Sequence, residues 1–127
     1  MRSLRYNALT TRYFEAAAGA GVLEGARVGR GAAGSRPLGT WVQFDLEARN
    51  GRITAARFLA FGCPHTVAVC SRVTELAVGR ECDPSLPDGI DALRAQFGVP
   101  VEKLGRLLTV EDAWGAAVAA LPVGADA

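Results

Sequence analysis

The sequence predicts an α+β fold, a small antiparallel sheet of about three strands with helices packed mainly on one face. Three observations lead there. Two segments of alternating polarity flank Asn50-Gly51, a helical pattern begins soon after them at Pro64, and further helical stretches fill the rest of the chain. Strands gathered together ahead of helices, with no alternation of the two, make an antiparallel sheet covered on one side. The chain has 127 residues and is 50% hydrophobic, enough for one core and too short for two ordinary domains. Residues 1–121 are expected to form a single domain and residues 122–127 a frayed tail.

Each element has its own warrant. Residues 4 to 18 carry a loose apolar stripe of Leu4, Leu9, Tyr13 and Ala16, a helix that Gly19 and Gly21 end. Gly25 to Gly39 is rich in Gly, Ala and Arg, and reads either as a poorly packed edge strand or as a mobile loop. Trp41–Arg49 and Arg52–Phe61 are hairpin strands around Asn50-Gly51, a strong turn signal. Counting outward from a two-residue turn pairs Arg49 with Arg52, Ala48 with Ile53, Leu46 with Ala55, Phe44 with Arg57 and Val42 with Leu59. That register gives one apolar face, interrupted by Arg57. Gly62 breaks the second strand, and Pro64 suits the first turn of a helix reaching about Gly79, with Val67, Cys70, Val73, Thr74 and Ala77 on one stripe. Ile90–Phe97 is a short helix closed by Gly98, and Pro100 opens another short helical stretch. Thr109 with Asp112 reads as the cap of a last helix ending at Ala120.

Composition excludes several classes of function. The 14 basic and 13 acidic residues nearly cancel, so nothing supplies the concentrated positive face of a nucleic-acid or membrane-surface binder. The basic N-terminus has no long apolar run after it, and no stretch reaches the roughly 18 apolar residues of a membrane span. A cytoplasmic protein is expected. Three cysteines, Cys63, Cys70 and Cys82, make a poor disulfide framework. Neither a phosphate-binding loop, a Ser-His-Asp set nor a paired-carboxylate site can be assembled, so an enzyme is not expected.

The soft metal ligands are Cys63, His65, Cys70 and Cys82. Cys63 and Cys70, seven apart on one predicted helix, are separated by about 10 Å and cannot share an ion. Cys63 and His65 can share one, because the helix start still bends; Asp45 or Glu111 are the candidates for a third ligand. A thiol at a helix N-terminus faces unpaired N–H groups and the positive dipole end, which favours the thiolate. An imidazolium at His65 would add to this. Cys70, on the core stripe, and Cys82, in a loop, read as packing residues. His65 is open between ligand and hydrogen-bonded surface residue. Trp41 and Trp114 read as core edges or as a partner surface, and the segment Gly29–Gly39 as a lid over Cys63.

The run from Gln43 to Gly79, with Phe61-Gly62-Cys63 and Val73-Thr74-Glu75, resembles the NifU/IscU-type scaffold on which iron–sulfur clusters are assembled. Tyr6 and Tyr13-Phe14-Glu15 resemble its opening helix, and Glu111-Asp112-Ala113 its closing one. The resemblance implies a non-enzymatic assembly protein with a transient iron–sulfur cluster or iron as cargo. It implies a cysteine desulfurase and an Hsp70-type chaperone as partners, the chaperone segment falling on Val99–Lys103, where Pro100 and Lys103 agree. The departures are specific. Leu38 stands where the family has a ligand cysteine, and Gly105 and Arg106 stand where it has a His-Cys pair, so Cys63 alone of the usual ligand set remains. Arg106 is then open between a solvated residue and a fixed charge that holds an anionic sulfur species. The resemblance and its departures together imply a protein that accepts sulfur or iron through Cys63 with His65, or else a metal-free adaptor for a desulfurase or chaperone. Zinc shared within a homodimer is a third, weaker reading.

Overall fold

The computed structural model describes residues 6–122. Leu4 and most of the predicted tail lie outside the described residues. Four α-helices, three strands and one short 3-10 turn follow in the order α1 (Ala8–Ala16), β1 (Gly29–Ser35), β2 (Thr40–Arg49), β3 (Arg52–Phe61), α2 (Pro64–Ala77), α3 (Gly89–Phe97), the turn Val101–Lys103 and α4 (Leu104–Ala119). The strands form one antiparallel sheet in the order β1-β2-β3. Helices α2 and α4 lie against the sheet, α4 mainly over β1 and β2 and α2 over β3, while α1 packs on α2. The α+β class and its one-sided cover are those the sequence predicts.

The first helix is shorter than its apolar stripe suggests, because Asn7 caps it: the side chain accepts from the Thr10 amide at 2.8 Å. It ends at Ala17, whose φ is 41°.

The glycine-rich segment is a strand, and it is closely packed. A Cβ on Gly31 would lie 2.1 Å from the Ala117 nitrogen, and one on Gly29 would lie 2.7 Å from the Ala117 oxygen. The missing side chains are what let α4 settle on the edge of the sheet. Gly29–Ser35 pairs with β2 and residues 36–39 form the turn between the two strands, so the segment is no mobile lid over Cys63.

The hairpin turns where expected, with Asn50 and Gly51 both at positive φ (54° and 77°). Its register departs from simple counting. Ala48 pairs with Ile53, but Glu47 pairs with Ala55, leaving Thr54 as an extra residue whose hydroxyl donates to the Glu47 carbonyl at 3.2 Å. Beyond this bulge Leu46 faces Ala56, Phe44 faces Phe58 and Val42 faces Ala60. One inserted residue reverses which side chains face inward. Arg57 therefore does not interrupt the apolar face; it pairs with Asp45 and is exposed.

The last helix is continuous. Leu104, Leu107, Val110, Trp114 and Ala117 keep helical spacing across Thr109, which does not cap; its hydroxyl donates back to the Gly105 carbonyl at 3.1 Å. Trp114 is a core residue, 1% exposed, packed edge-on to Phe44 and donating its indole N–H to the Asp83 carbonyl. Trp41 is half-buried on β2. No helix among the described residues is long and apolar enough to cross a membrane.

Candidate functional site

The strand β3 delivers Phe61 and Gly62 to the start of α2, where Cys63 is the N-cap residue (φ −76°, ψ 168°) and Pro64 occupies the first turn. Proline suits that place because its missing N–H would have no partner there. Gly62 leaves room for Thr66, which a Cβ at position 62 would approach at 3.2 Å.

Cys63 is half-buried. Its Sγ lies 3.7 Å from the Thr66 hydroxyl, and no side-chain capping bond of ordinary length closes on it. Burial works against the thiolate. The Thr66 amide and hydroxyl, the His65 amide and the charge of Lys103 outweigh it and hold the thiol below its ordinary value. Cys70 is the opposite: fully buried in α2, with its thiol pushed up by desolvation. Cys82 lies by the hairpin turn, its amide donating to the Gly51 carbonyl. Cys63 follows the far end of the ten-residue β3, roughly 30 Å away at about 3.3 Å per residue. The three cysteines cannot meet at one ion.

His65 is buried, 1% exposed. Burial, then the positive charges of Lys103 and Arg106, bring its pKa down to about 4. The expected imidazolium beside Cys63 is therefore absent; the ring is neutral, and the positive charge near the thiol comes from Lys103. The Lys103 ammonium lies 3.4 Å from His65 Nδ1 and above the Tyr6 ring, 5.2 Å from its centre. Tyr6 in turn meets His65 edge-on at 4.7 Å. With Nδ1 accepting from Lys103, the ring proton sits on Nε2, which is buried and has no hydrogen-bond partner among the described residues.

Leu38, Gly105 and Arg106, far apart in sequence, line one open cavity of about 310 Å³ together with Gly34, Thr40, Glu102, Lys103 and Thr109. Lys103 thus belongs both to this cavity and to the surroundings of Cys63. Sequence reasoning placed Lys103 only in the chaperone segment and did not single out Thr66. The signals were available: Lys103 is the sole lysine of the chain, and Thr66 stands three places after a helix cap. Within that chaperone segment Val101 is 71% exposed while Val99 is buried.

The carboxylates proposed as further ligands do not complete a site. Asp45 is 1% exposed and held by Arg30 at 2.8 Å, by Gln43 and by the Leu23 amide; although desolvation opposes it, these bonds keep the carboxyl below its usual range. Glu111 is part of no group of three such side chains among the described residues. Among the described residues, no three His, Cys, Asp or Glu side chains gather closely enough to hold a metal ion. A second cavity of about 330 Å³ lies between α1, α2 and β3, lined by Arg12, Tyr13, Arg57, Thr74 and Glu75. It is the larger concavity but sits about 16 Å along α2 from Cys63. Lys103, whose charge acts on Cys63, lines the smaller one.

A three-stranded sheet that hands a cap cysteine to a long helix defines the class. The chain belongs to the NifU-like N terminal domain family, whose profile matches residues 5–123. It is 31% identical over 86 residues to the iron–sulfur cluster assembly protein IscU of Plasmodium falciparum (isolate 3D7), a match covering 68% of this chain and 53% of that protein. The chain thus spans about half the length of the curated relative it matches. Two solved structures share the fold. One is described as an iron–sulfur cluster assembly scaffold for the SUF system of Fervidobacterium islandicum AW-1, with a TM-score of 0.67, 14% identity and coverage of 94% of this chain and 98% of that one. The other is the N-terminal part of a nitrogen-fixing NifU-like protein from Brucella abortus, with a TM-score of 0.66, 18% identity and 90% coverage of each chain.

Proposed function

We propose that this chain is a scaffold-like iron–sulfur cluster assembly protein that receives sulfur, or iron, through Cys63. The observation that carries the reading is the cap position of Cys63, accessible and with its thiol held below the ordinary range. A thiolate there attacks the outer sulfur of a donor persulfide; the donor's S–S bond breaks, its thiolate leaves, and Cys63 carries the sulfur with no net oxidation. A cysteine desulfurase is the donor that fits this step. His65 can add a second ligand for iron only if its Nδ1 lone pair is released by Lys103, whose ammonium now lies 3.4 Å from it.

A whole cluster does not fit the residues of one chain. Clusters want four ligands, mostly thiolates, whereas Cys63 and His65 stand here beside the cations Lys103 and Arg106. Any cluster is therefore transient cargo completed by ligands from another chain. The second reading is a metal-free adaptor for a desulfurase or an Hsp70-type chaperone. The observation favouring it is that same pair of cations at the site.

The test is anaerobic incubation with a cysteine desulfurase, cysteine and ferrous iron, comparing the wild type with Cys63→Ser. Protein mass, visible absorption, and bound iron, sulfide and zinc would be recorded. A sulfur adduct or chromophore lost in the variant supports sulfur or iron acceptance. Co-elution with the desulfurase, with neither signal, supports the adaptor.

A further inference from the structure

We propose that the cavity lined by Lys103 and Arg106 docks the anionic group of a small thiol compound whose sulfur exchanges with Cys63. For the direction of sulfur flow, this rests on the reading of Cys63 as a sulfur acceptor.

Four observations converge. First, the cavity is cationic. Lys103 and Arg106 line it against one acid, Glu102, and neither cation is in a salt bridge among the described residues. The neighbours of the Lys103 ammonium are an imidazole nitrogen and the face of Tyr6, neither of them an anion. Two cations facing a concavity raise the local concentration of anions.

Second, there is room. Gly105 opens the wall, since a Cβ there would meet nothing within 4 Å, and a volume of about 310 Å³ suits a small molecule. Leu38, 80% exposed at the rim, offers an apolar surface for the carbon body of such a ligand.

Third, the cavity shares a residue, Lys103, with the surroundings of the thiol, although Cys63 is not among its lining. Lys103 reaches His65, two residues from Cys63, and its charge acts on Cys63 itself.

Fourth, a sulfur on Cys63 has no thiol to move to within the chain. Cys70 is sealed in the core seven residues along α2, and Cys82 lies at the other end of the sheet. The accepting thiol must come from outside. In the exchange, its thiolate attacks the outer sulfur of the Cys63 persulfide. The S–S bond breaks, its electron pair leaves on Cys63 as thiolate, and the small molecule departs as a persulfide. Atoms and oxidation states balance.

The test has two arms on the full chain. In the first, Cys63 reacts with a carboxylated aromatic disulfide, dithiobis(nitrobenzoate), and with a neutral one, dithiodipyridine. Cys63→Ser supplies the background from the other cysteines. Relative to a free peptide thiol, the wild type should favour the carboxylated reagent by roughly tenfold. The preference should shrink at high salt and disappear in Arg106→Gln. It should also disappear in Gly105→Leu, which keeps both charges and plugs the cavity. A wild-type ratio equal to that of the free thiol, or one that both variants retain, overturns the docking site.

In the second arm, Cys63 loaded by a desulfurase is challenged with 3-mercaptopropionate or 2-mercaptoethanol, and the loss of one sulfur is followed by mass. Faster clearance by the carboxylated thiol, abolished in the two variants, supports the exchange; equal clearance overturns it. If Cys63 cannot be loaded at all, the acceptor reading and the proposed exchange both fail, while the first arm still decides the docking site.

Discussion

Cys63 and Cys70 sit seven residues apart on one helix and have opposite chemistry. Cys63 caps α2, half in solvent, facing the amides of His65 and Thr66 and the charge of Lys103. Cys70 is 0% exposed in the core of the domain, and burial alone pushes its thiol up. The difference teaches that a helix confers reactivity only at its end. Free N–H groups stabilise a thiolate at the cap, whereas one turn further in every amide is already bonded and a charge has nothing to replace its water.

The largest predicted effect comes directly from this contrast. At neutral pH the folded protein should be alkylated at Cys63 faster than at Cys70 by a factor on the order of 10³, because Cys70 reacts only when the core opens. Peptide mapping after timed iodoacetamide exposure measures both sites in one sample, and denaturant should erase the gap. Rates within about tenfold of each other in the folded state would break the comparison. The pH at which Cys63 is half reactive should also fall below that of a free thiol.

His65 is buried and feels the same positive charges, and here the two together shape stability. The folded ring stays neutral down to about pH 4, while in the unfolded chain it takes a proton near 6.5. Between those values the unfolded state binds more protons, so the contribution is complete above about pH 6.5 and is lost as the pH falls towards 4. A loss on the order of 3 kcal/mol is expected across that window. Chemical denaturation at stepped pH measures it, and His65→Gln should flatten the wild-type slope. The carboxylates of Asp45 and Glu75, held low by their partners, lose their contribution only under more acidic conditions, so the two effects separate.

These contrasts also mark what the sequence could and could not reveal. The turn at Asn50-Gly51, the helix start at Pro64 and the burial of Cys70 rest on local patterns, and local patterns are visible in a string of residues. The bulge at Thr54 is not, since nothing nearby demands an extra residue; it places Phe58, instead of Arg57, opposite Phe44. Gly29 and Gly31 read as looseness until α4 is seen to press on them. At the site, the position of Cys63 was legible from the residues. The charge state of His65 was not, because it depends first on burial in the folded core and then on Lys103 arriving from 38 residues away. Asp45 looked available as a ligand only because its partner Arg30 lies on the neighbouring strand.

Serine substitutions sharpen the pair through stability. Cys70→Ser puts a hydroxyl among Val69, Val73 and other core residues and should cost about 1–3 kcal/mol. Cys63→Ser should stay within ~0.5 kcal/mol, because serine is a good cap and the site is open to water. Urea midpoints at constant slope test both. Equal losses would mean that Cys63 is as much a packing residue as Cys70.

The smallest effect concerns what holds the Cys63 thiolate in place. Thr66 is fully buried, and its hydroxyl lies 3.7 Å from Sγ, a long contact to a soft acceptor. Thr66→Val keeps the branched shape beneath Gly62 and leaves the helix-start amides untouched. A weak hydrogen bond worth about 0.6 kcal/mol corresponds to roughly a threefold loss of thiolate at a given pH. The alkylation profile of Cys63 should therefore move upward by about half a pH unit, with Cys70 unchanged. No movement would assign the depressed thiol entirely to the amides and Lys103. A shift beyond about one unit would make Thr66, a side chain the helix pattern did not single out, the main support of the reactive cysteine.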